Sequence, residues 1–212
     1  MKKKLFILFL YIFSCINIFS INIKYSGIDT ISLHDHGIYK SFWNRITLNP
    51  VVTWYTLTNV QAIESDEVTN RTNDFRNCIL GSSDKKDFKK SGYDKGHMCP
   101  SGDFDFSKET SSLTFLMCNM CPQKHILNAG EWLKYEKEER SLAKKYGSIQ
   151  IVCGPIYKSS NYIKNRIKIP DEFFKIFSYK DKIQVYIFTQ DNSVRESSLK
   201  EIKELTDLDI TF

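Results

Sequence analysis

Two stretches of the chain carry residue types that could do chemistry together. In Tyr93-Asp94-Lys95-Gly96-His97-Met98 a histidine follows a glycine, with an acidic and a basic residue just upstream. Further on, Asn119-Met120-Cys121-Pro122-Gln123 is followed by Asn128, Trp132, Glu136 and Arg140, spaced four residues apart. Residues so spaced drift only about 40° per step around a helix, so they fall along one face. An amide, a carboxylate and a guanidinium on one line are unusual for a helix that only packs on a core. Opposed to a histidine on a nearby strand or loop, they could hold a divalent metal and a phosphate.

The chain of 212 residues fits one domain, alone or with a targeting segment. Hydrophobic content of 42%, with 14% aromatic residues, is enough for a core and excludes a disordered chain. Met1-Lys2-Lys3-Lys4 followed by the apolar run Leu5 to Phe13 gives a basic start and an apolar stretch too short to span a bilayer. Residues 1–20 are therefore expected to be a signal peptide cut after Ser20, leaving a protein that is secreted or held in the periplasm or cell envelope. The alternative is a loose lipobox, Ile12-Phe13-Ser14-Cys15, with Cys15 acylated as a membrane lipid anchor; Phe13 fits that motif poorly.

The formal net charge of +5 falls to +2 once Lys2, Lys3 and Lys4 are set aside. That balance is too mild to argue nucleic-acid binding from bulk charge, so any basic footprint is local. Lys85-Lys86, Lys89-Lys90 and Lys95 are the nearest candidates, the first four reading equally well as a solvated loop. Beyond Cys15 stand Cys78, Cys99, Cys118, Cys121 and Cys153, an odd set that leaves at least one thiol unpaired within the chain. Cys118-x-x-Cys121 has no second Cys/His pair at structural-zinc spacing and is not read as a zinc site.

Around these residues the chain supplies strands and one strong helix. Ile21 to Asn49 lacks a firm period, and His34-Asp35-His36 within it reads as an exposed loop, with no partner ligand nearby in sequence. Val51 to Thr58 is β-branched and aromatic, a buried strand. Asn59 to Lys90 reads mostly as loop. Ser107 to Ser112 starts a short helical turn, and Leu113 to Cys118 is a second strand candidate. Asn128 to Tyr146 is the strong helix, stopped by Gly147, with Trp132, Leu133, Leu142 and Ala143 free to pack on a sheet. Ser148 to Cys153 is a strand ended by Gly154-Pro155; Phe173 to Ser178 and Ile183 to Thr189 are antiparallel strands; Leu199 to Leu205 is a closing helix. Strands grouped before and after one long helix indicate an α+β domain.

Cleaving a phosphodiester requires that a water lose a proton as it attacks, that the charged transition state be stabilised and that the leaving oxygen be neutralised. His97 could serve as general base, and one hard cation could clamp the phosphate oxygens. Magnesium keeps most of its waters, so the Asn128 amide oxygen could be its only direct anchor. Glu136 could hold the metal-bound waters from behind. Lys95 and Arg140 could bind the phosphate.

Asp94-Lys95-Gly96-His97-Met98, with Gly102 beyond it, resembles the signature of the DNA/RNA non-specific endonucleases, the endonuclease G-like ββα-metal nucleases. Asn119-x-x-Pro122-Gln123 followed by Asn128, Trp132 and Glu136 resembles that family's second motif in order and spacing, and Glu204 to Asp209 is similar to the family's ending. The likeness spans about Val51 to Phe212, taken as the nuclease domain 51–212, with 21–50 as an N-terminal extension. It implies a ββα-metal (His-Me finger) fold, a central antiparallel sheet with one long active-site helix. It further implies cleavage of DNA and RNA with little sequence preference, using Mg2+, with Mn2+ or another divalent cation as the alternative.

By position the resemblance makes His97 the general base, Asn128 the metal ligand and Glu136 the support of the metal's water shell. Arg140 matches a basic residue one turn beyond, and Asn119 falls where the family arranges its active site. Lys95 stands where the family usually has arginine, keeping the charge but losing the two-pronged geometry. The family's upstream arginine is assigned to Arg71, with Arg76 in reserve. Considered alone, Asn128 is also an N-cap, Glu136 and Arg140 an ion pair, and Trp132 core packing that orients the helix. Asp94 is expected to brace its loop, and His125 to be a loop residue. No protein partner is deducible. The competing functions are a nuclease-like protein that binds nucleic acid without cutting it, which intact His97 and Asn128 argue against, and a secreted nuclease toxin.

Overall fold

The β-branched run expected as a buried strand forms the spine of the sheet that carries the site. A computed structural model describes residues 21–25, 30–79 and 81–212; the expected signal peptide 1–20, its cut at Ser20 and the anchor at Cys15 lie outside the described residues. In chain order, β1 (Asn22–Tyr25), β2 (Ile31–Asp35) and β3 (Lys40–Asn44) precede β4 (Asn49–Thr58), which leads directly into α1 (Asn59–Glu67). A long loop then reaches β5 (Asp94–His97), followed by α2 (Lys108–Thr114), β6 (Met120–Gln123), α3 (His125–Asn128) and α4 (Glu131–Tyr146). After these come β7 (Ser148–Ile156), the pair β8 (Tyr162–Ile163) and β9 (Ile167–Lys168), β10 (Glu172–Tyr179) and β11 (Lys182–Thr189). The chain closes with β12 (Val194–Glu196), α5 (Leu199–Thr206) and β13 (Leu208–Thr211).

Among the described residues, seven strands pair antiparallel in the order β12-β11-β10-β7-β4-β3-β2. β1 pairs with β13, and β5 with β6, as separate two-stranded ribbons. The central strands are buried on both faces, which is why Phe173-Phe174-Lys175-Ile176-Phe177 reads as a continuous apolar run broken by one lysine.

Local chemistry explains where the structure departs from the sequence reading. The Asn59 to Lys90 stretch, expected as loop, opens with α1. Thr58 Oγ1 accepts the Gln61 backbone N–H at 3.3 Å while Gln61 Oε1 accepts the Thr58 N–H at 3.0 Å, a capping box whose weak apolar periodicity downstream concealed the helix. Leu113 to Cys118 is not a strand. Ser107 caps α2, which runs to Thr114, and a 3-10 turn at Met117–Asn119 follows before β6 begins. Ile21 to Asn49, without period to the eye, supplies β1, β2 and β3. β7 does not stop at Gly154-Pro155 but continues to Ile156, because its pairing with β4 ends at Cys153 and Pro155 is paired only with β10.

The long helix is split. Gly130, not Asn128, is the N-cap of α4, and Asn128 closes the preceding turn α3. A Cβ on Gly130 would stand 2.2 Å from the Ile126 carbonyl oxygen and 2.3 Å from Asn192 Oδ1, so the junction accepts only glycine. Asn192 Oδ1 takes the Glu131 N–H at 2.7 Å, satisfying a donor that α4 itself cannot.

Trp132 anchors α4 on the sheet, fully buried among Met98, Cys121, Leu127, Cys153, Phe173 and Phe188. Its ring meets Phe173 and Phe188 edge-on at centroid distances of 5.6 and 5.2 Å. Leu142 and Ala143 are buried as expected, whereas Leu133 is only half-buried. Trp132→Ala should cost about 3–5 kcal/mol of unfolding free energy in urea titrations. A cost below about 1 kcal/mol would show that the helix is not held by this ring.

Candidate active site

The site is assembled by β5, β6 and the α3–α4 junction. β5 pairs with β6 in the register Asp94↔Gln123, Gly96↔Cys121, His97↔Met120. Gly96 permits this approach, since a Cβ there would stand 2.0 Å from Gln123 Oε1. The α3–α4 junction is pinned to β5 on both of its sides. Asn128 Nδ2 donates to Asp94 Oδ2 at 3.1 Å, and Trp132 Nε1–H donates to the His97 carbonyl at 3.1 Å. Asp94 also engages His125 Nδ1 at 2.8 Å, so it braces the junction, and His125 begins α3 instead of lying in a loop.

His97 is 8% exposed, with its ring edge-on to Phe115 at 4.9 Å and tilted against Phe75 at 5.9 Å. Its Nε2 is buried without a hydrogen-bond partner among the described residues. Burial, then the charges of Arg71 and Lys95, lower its pKa from 6.5 to about 3, leaving a neutral imidazole at physiological pH. Lys95 Nζ sits over the Phe75 ring at 4.5 Å, and no carboxylate is in ion-pair range of it among the described residues. Arg71 donates to Ser101 Oγ and lies 5.0 Å from the Phe115 ring centroid. Arg76, the reserve, is bonded to Asp74 and to the Ser112 carbonyl.

Beneath α4 lies a buried charge cluster. Lys175 Nζ reaches Glu139 at 3.2 Å with both side chains fully buried, and Arg140 Nη1 donates to the fully buried Asp103 at 2.8 Å. Tyr55 donates to Glu139 at 3.2 Å, and Lys175 stands 4.5 Å from the Trp132 ring centroid. Burial and mutual repulsion raise the carboxyl groups: Glu136 is held up to about 7, against the pull of Lys175, Arg140 and Arg71. Asp103 is raised well above its usual range by burial and by Glu139. Asp103, Glu139 and Lys175 were not among the expected site residues. A lysine inside an apolar strand was the signal in sequence, since a charge buried that deeply needs a partner.

The expected residues are thus distributed unequally. His97, Lys95, Arg71 and Glu136 form one electrostatic neighbourhood, for the Arg71 charge bears on both His97 and Glu136. Arg140 is committed to Asp103 and is not an open phosphate arm. Asn119 is buried and structural in its contacts. Its Oδ1 accepts the Cys99 N–H at 2.9 Å and its Nδ2 donates to the Cys99 and Thr114 carbonyls at 2.8 Å each, which ties down the chain two residues past His97. Cys118 is disulfide-bonded to Cys78, while Cys121 is a free thiol in a different part of the core, so Cys118-x-x-Cys121 does not close on a shared ion.

A histidine on a two-stranded ribbon followed by an asparagine-bearing helical segment is the ββα arrangement of the metal-dependent nucleases. Residues 18–211 match the family model described as DNA/RNA non-specific endonuclease, and the chain belongs to that family of phosphodiester hydrolases. The mitochondrial Nuclease 1 of Schizosaccharomyces pombe is 31% identical over 160 residues, covering 67% of this chain and 49% of that protein. The mitochondrial nuclease of Saccharomyces cerevisiae is 31% identical over 160 residues, covering 64% of this chain and 47% of its own length. The chain therefore spans about half the length of these curated relatives. The solved structure of EndoG in its complex with EndoGI superposes with a TM-score of 0.73 at 22% identity, over 86% of this chain and 85% of that one, so the two share the α+β ββα-metal fold.

These relatives correct one expectation. Both are mitochondrial nucleases by name, which overturns the expected secreted or periplasmic address. Lys2–Lys4 and the apolar run after them carry no acidic residue, a composition that secretory leaders share with acidic-poor mitochondrial presequences. Nothing in the comparisons supports a lipid anchor at Cys15.

The neutral His97 has a measurable consequence. Between pH 6.5 and about 3 the unfolded chain binds a proton that the folded imidazole does not, so stability falls as pH falls through that window. Glu136 acts with the opposite sign: its stabilising proton is fully present below pH 4.5 and is lost as pH rises towards about 7. The two oppose each other, so the His97 contribution is read as a difference. The unfolding free energy of the parent minus that of His97→Gln should fall by up to about 1.4 kcal/mol per pH unit on acidification below 6.5. A difference independent of pH would mean that the ring is not held neutral.

Proposed function

We propose that the chain is a metal-dependent endonuclease that hydrolyses phosphodiester bonds of DNA and RNA with little sequence preference, with His97 as general base. The observation that carries this reading is geometric: the α3–α4 junction bearing Asn128 is tied to the strand of His97, through Asn128 Nδ2 to Asp94 at 3.1 Å and Trp132 Nε1 to the His97 carbonyl at 3.1 Å. The residues fit a hard divalent cation such as Mg2+ or Mn2+. Asn128 Nδ2 is engaged by Asp94, which leaves Oδ1 as the oxygen donor, and Glu136, on α4, would in its ionised form hold the waters of the metal. When bound, such a cation supplies charge stabilisation to the phosphate oxygens.

The remaining steps belong to the chain. Lys95 and Arg71 receive the phosphate as cations, and Lys95 is not already spent on a carboxylate. A phosphate between them cancels the two charges that, after burial, depress the His97 pKa, so the imidazole gains basicity in the complex. His97 then takes a proton from water as the water oxygen bonds to phosphorus and the bond to the leaving oxygen breaks; the leaving oxygen takes up a proton from solvent. Arg140 acts by positioning, holding Asp103 beneath Glu136, and Asn119 by fixing the backbone beyond His97. Little sequence preference follows, because these groups address phosphate and not base edges.

A plasmid-nicking assay tests the reading. Supercoiled DNA and a structured RNA should both be cut, cutting should stop in EDTA, and excess Mg2+ or Mn2+ should restore it. Binding without cutting, at any divalent metal concentration, would contradict it.

A further inference from the structure

The Cys78–Cys118 bridge stands beside two histidines that the nuclease reading does not use. His34 lies on β2 and His36 in the turn after it, whereas Cys78 comes from the long loop and Cys118 from the 3-10 turn before β6. The donor atoms of His34, His36 and Cys78 all lie within 4.8 Å of one another, and none of the three residues is fully exposed. His36 Nε2 is 3.6 Å from Cys118 Sγ. The two imidazoles stack nearly parallel, 14° apart at 6.0 Å, and His36 is backed by the Tyr39 ring at 4.6 Å. Three segments distant in sequence thus converge two sulfurs and two imidazoles on one point, the donor set that a soft tetrahedral cation takes.

We propose that reduction of the Cys78–Cys118 disulfide converts this cluster into a binding site for a soft divalent cation such as Zn2+, held by Cys78, Cys118, His34 and His36. The reductant is a dithiol or a phosphine. A dithiol gives two electrons and its own two protons to the two sulfurs and leaves as its disulfide; a phosphine gives two electrons, takes the oxygen of a water whose two protons complete the thiols, and leaves as the phosphine oxide. On metal binding both thiols release their protons to solvent, so two thiolates balance the charge of the cation. A tetrahedral ion with metal–sulfur bonds of about 2.3 Å separates its sulfurs by roughly 3.8 Å. The two Cα atoms, 5.6 Å apart, allow that by side-chain rotation. In either redox state the cluster fastens the loop bearing Cys78 to the turn whose Asn119 braces the strand of His97. Oxidised, the fastening is covalent; reduced, it depends on metal.

The test uses the full chain and Co2+ as a spectroscopic probe, with reduction by a phosphine that does not compete for metal. The reduced chain should take up one Co2+ with thiolate-to-metal charge-transfer absorption and the intense visible bands of a tetrahedral site, both removed by added Zn2+. The oxidised chain should show neither. A Co2+ ion at Asn128, held by oxygen atoms, gives only the weak octahedral spectrum, so failure of this site and failure of the nuclease reading are told apart. His34→Ala should weaken binding by at least about tenfold, since a lost ligand costs no less than a lost outer partner. Cys78→Ser leaves one thiolate, Cys118, and should at least halve the charge-transfer absorption. If Cys78→Ser does not fold, His34→Ala and His36→Ala, which leave the disulfide untouched, decide the matter. Absence of charge-transfer absorption in the reduced parent would overturn the proposal, as would an unchanged spectrum in the doubly substituted histidine variant.

Discussion

Replacing His97 with alanine should lower the rate of phosphodiester cleavage by roughly 10²–10⁴-fold, the usual worth of a general base. The loss should fall on the chemical step. Binding of nucleic acid, measured with EDTA present, should change little, because Lys95 and Arg71 remain. Removing a ring packed between Phe75 and Phe115 also opens a cavity, so His97→Gln is the companion variant that keeps most of the volume. Both should be equally inactive while His97→Gln unfolds near the parent temperature. If His97→Gln cuts as fast as the parent, another group removes the proton and the assignment of His97 is wrong.

Asn128 is the second position with a large expected effect. If its amide oxygen is the only direct protein ligand, Asn128→Ala should reduce cleavage by about 10²–10³-fold, comparable with removing one strong electrostatic donor. The same change removes the hydrogen bond to Asp94, which by itself would only loosen the junction. Asn128→Asp separates the two roles. It keeps an oxygen donor, loses the donation to Asp94, and should recover cleavage as Mg2+ is raised, whereas Asn128→Ala should not. An identical metal dependence in the parent and Asn128→Ala would remove Asn128 from the metal site.

Much of this site could be read from residue order because its recognition rests on short, local spacings. Asp94 to Met98 and Asn119 to Glu136 are compact stretches, although the second strand of the ribbon is Met120–Gln123 and not Leu113 to Cys118. The split between α3 and α4 was hidden, because periodicity registers the faces of a helix but not a glycine made obligatory by Ile126 and Asn192. The Thr58–Gln61 capping box marks the start of α1, but the residues after it lack the apolar period that identifies a helix.

What could not be read are partnerships across long separations. Lys175 with Glu139, Arg140 with Asp103, and Cys78 with Cys118 beside His34 and His36 are set by sheet topology, which no local pattern encodes. Arg140 shows the cost. Its four-residue step from Glu136 suggested a phosphate ligand, yet the fold aims its guanidinium at a buried carboxylate. The address was misjudged for another reason, since a basic, apolar, acid-free leader serves more than one destination.

The most direct test of the central claim, that one imidazole and one cation act on the same phosphate, is a crystal soaked in Mn2+ and measured for anomalous scattering. The account predicts a peak bonded to Asn128 Oδ1, with its waters facing Glu136 and the His97 ring turned towards it. A peak elsewhere with none beside Asn128, or a His97 ring facing away from the ion, would contradict it.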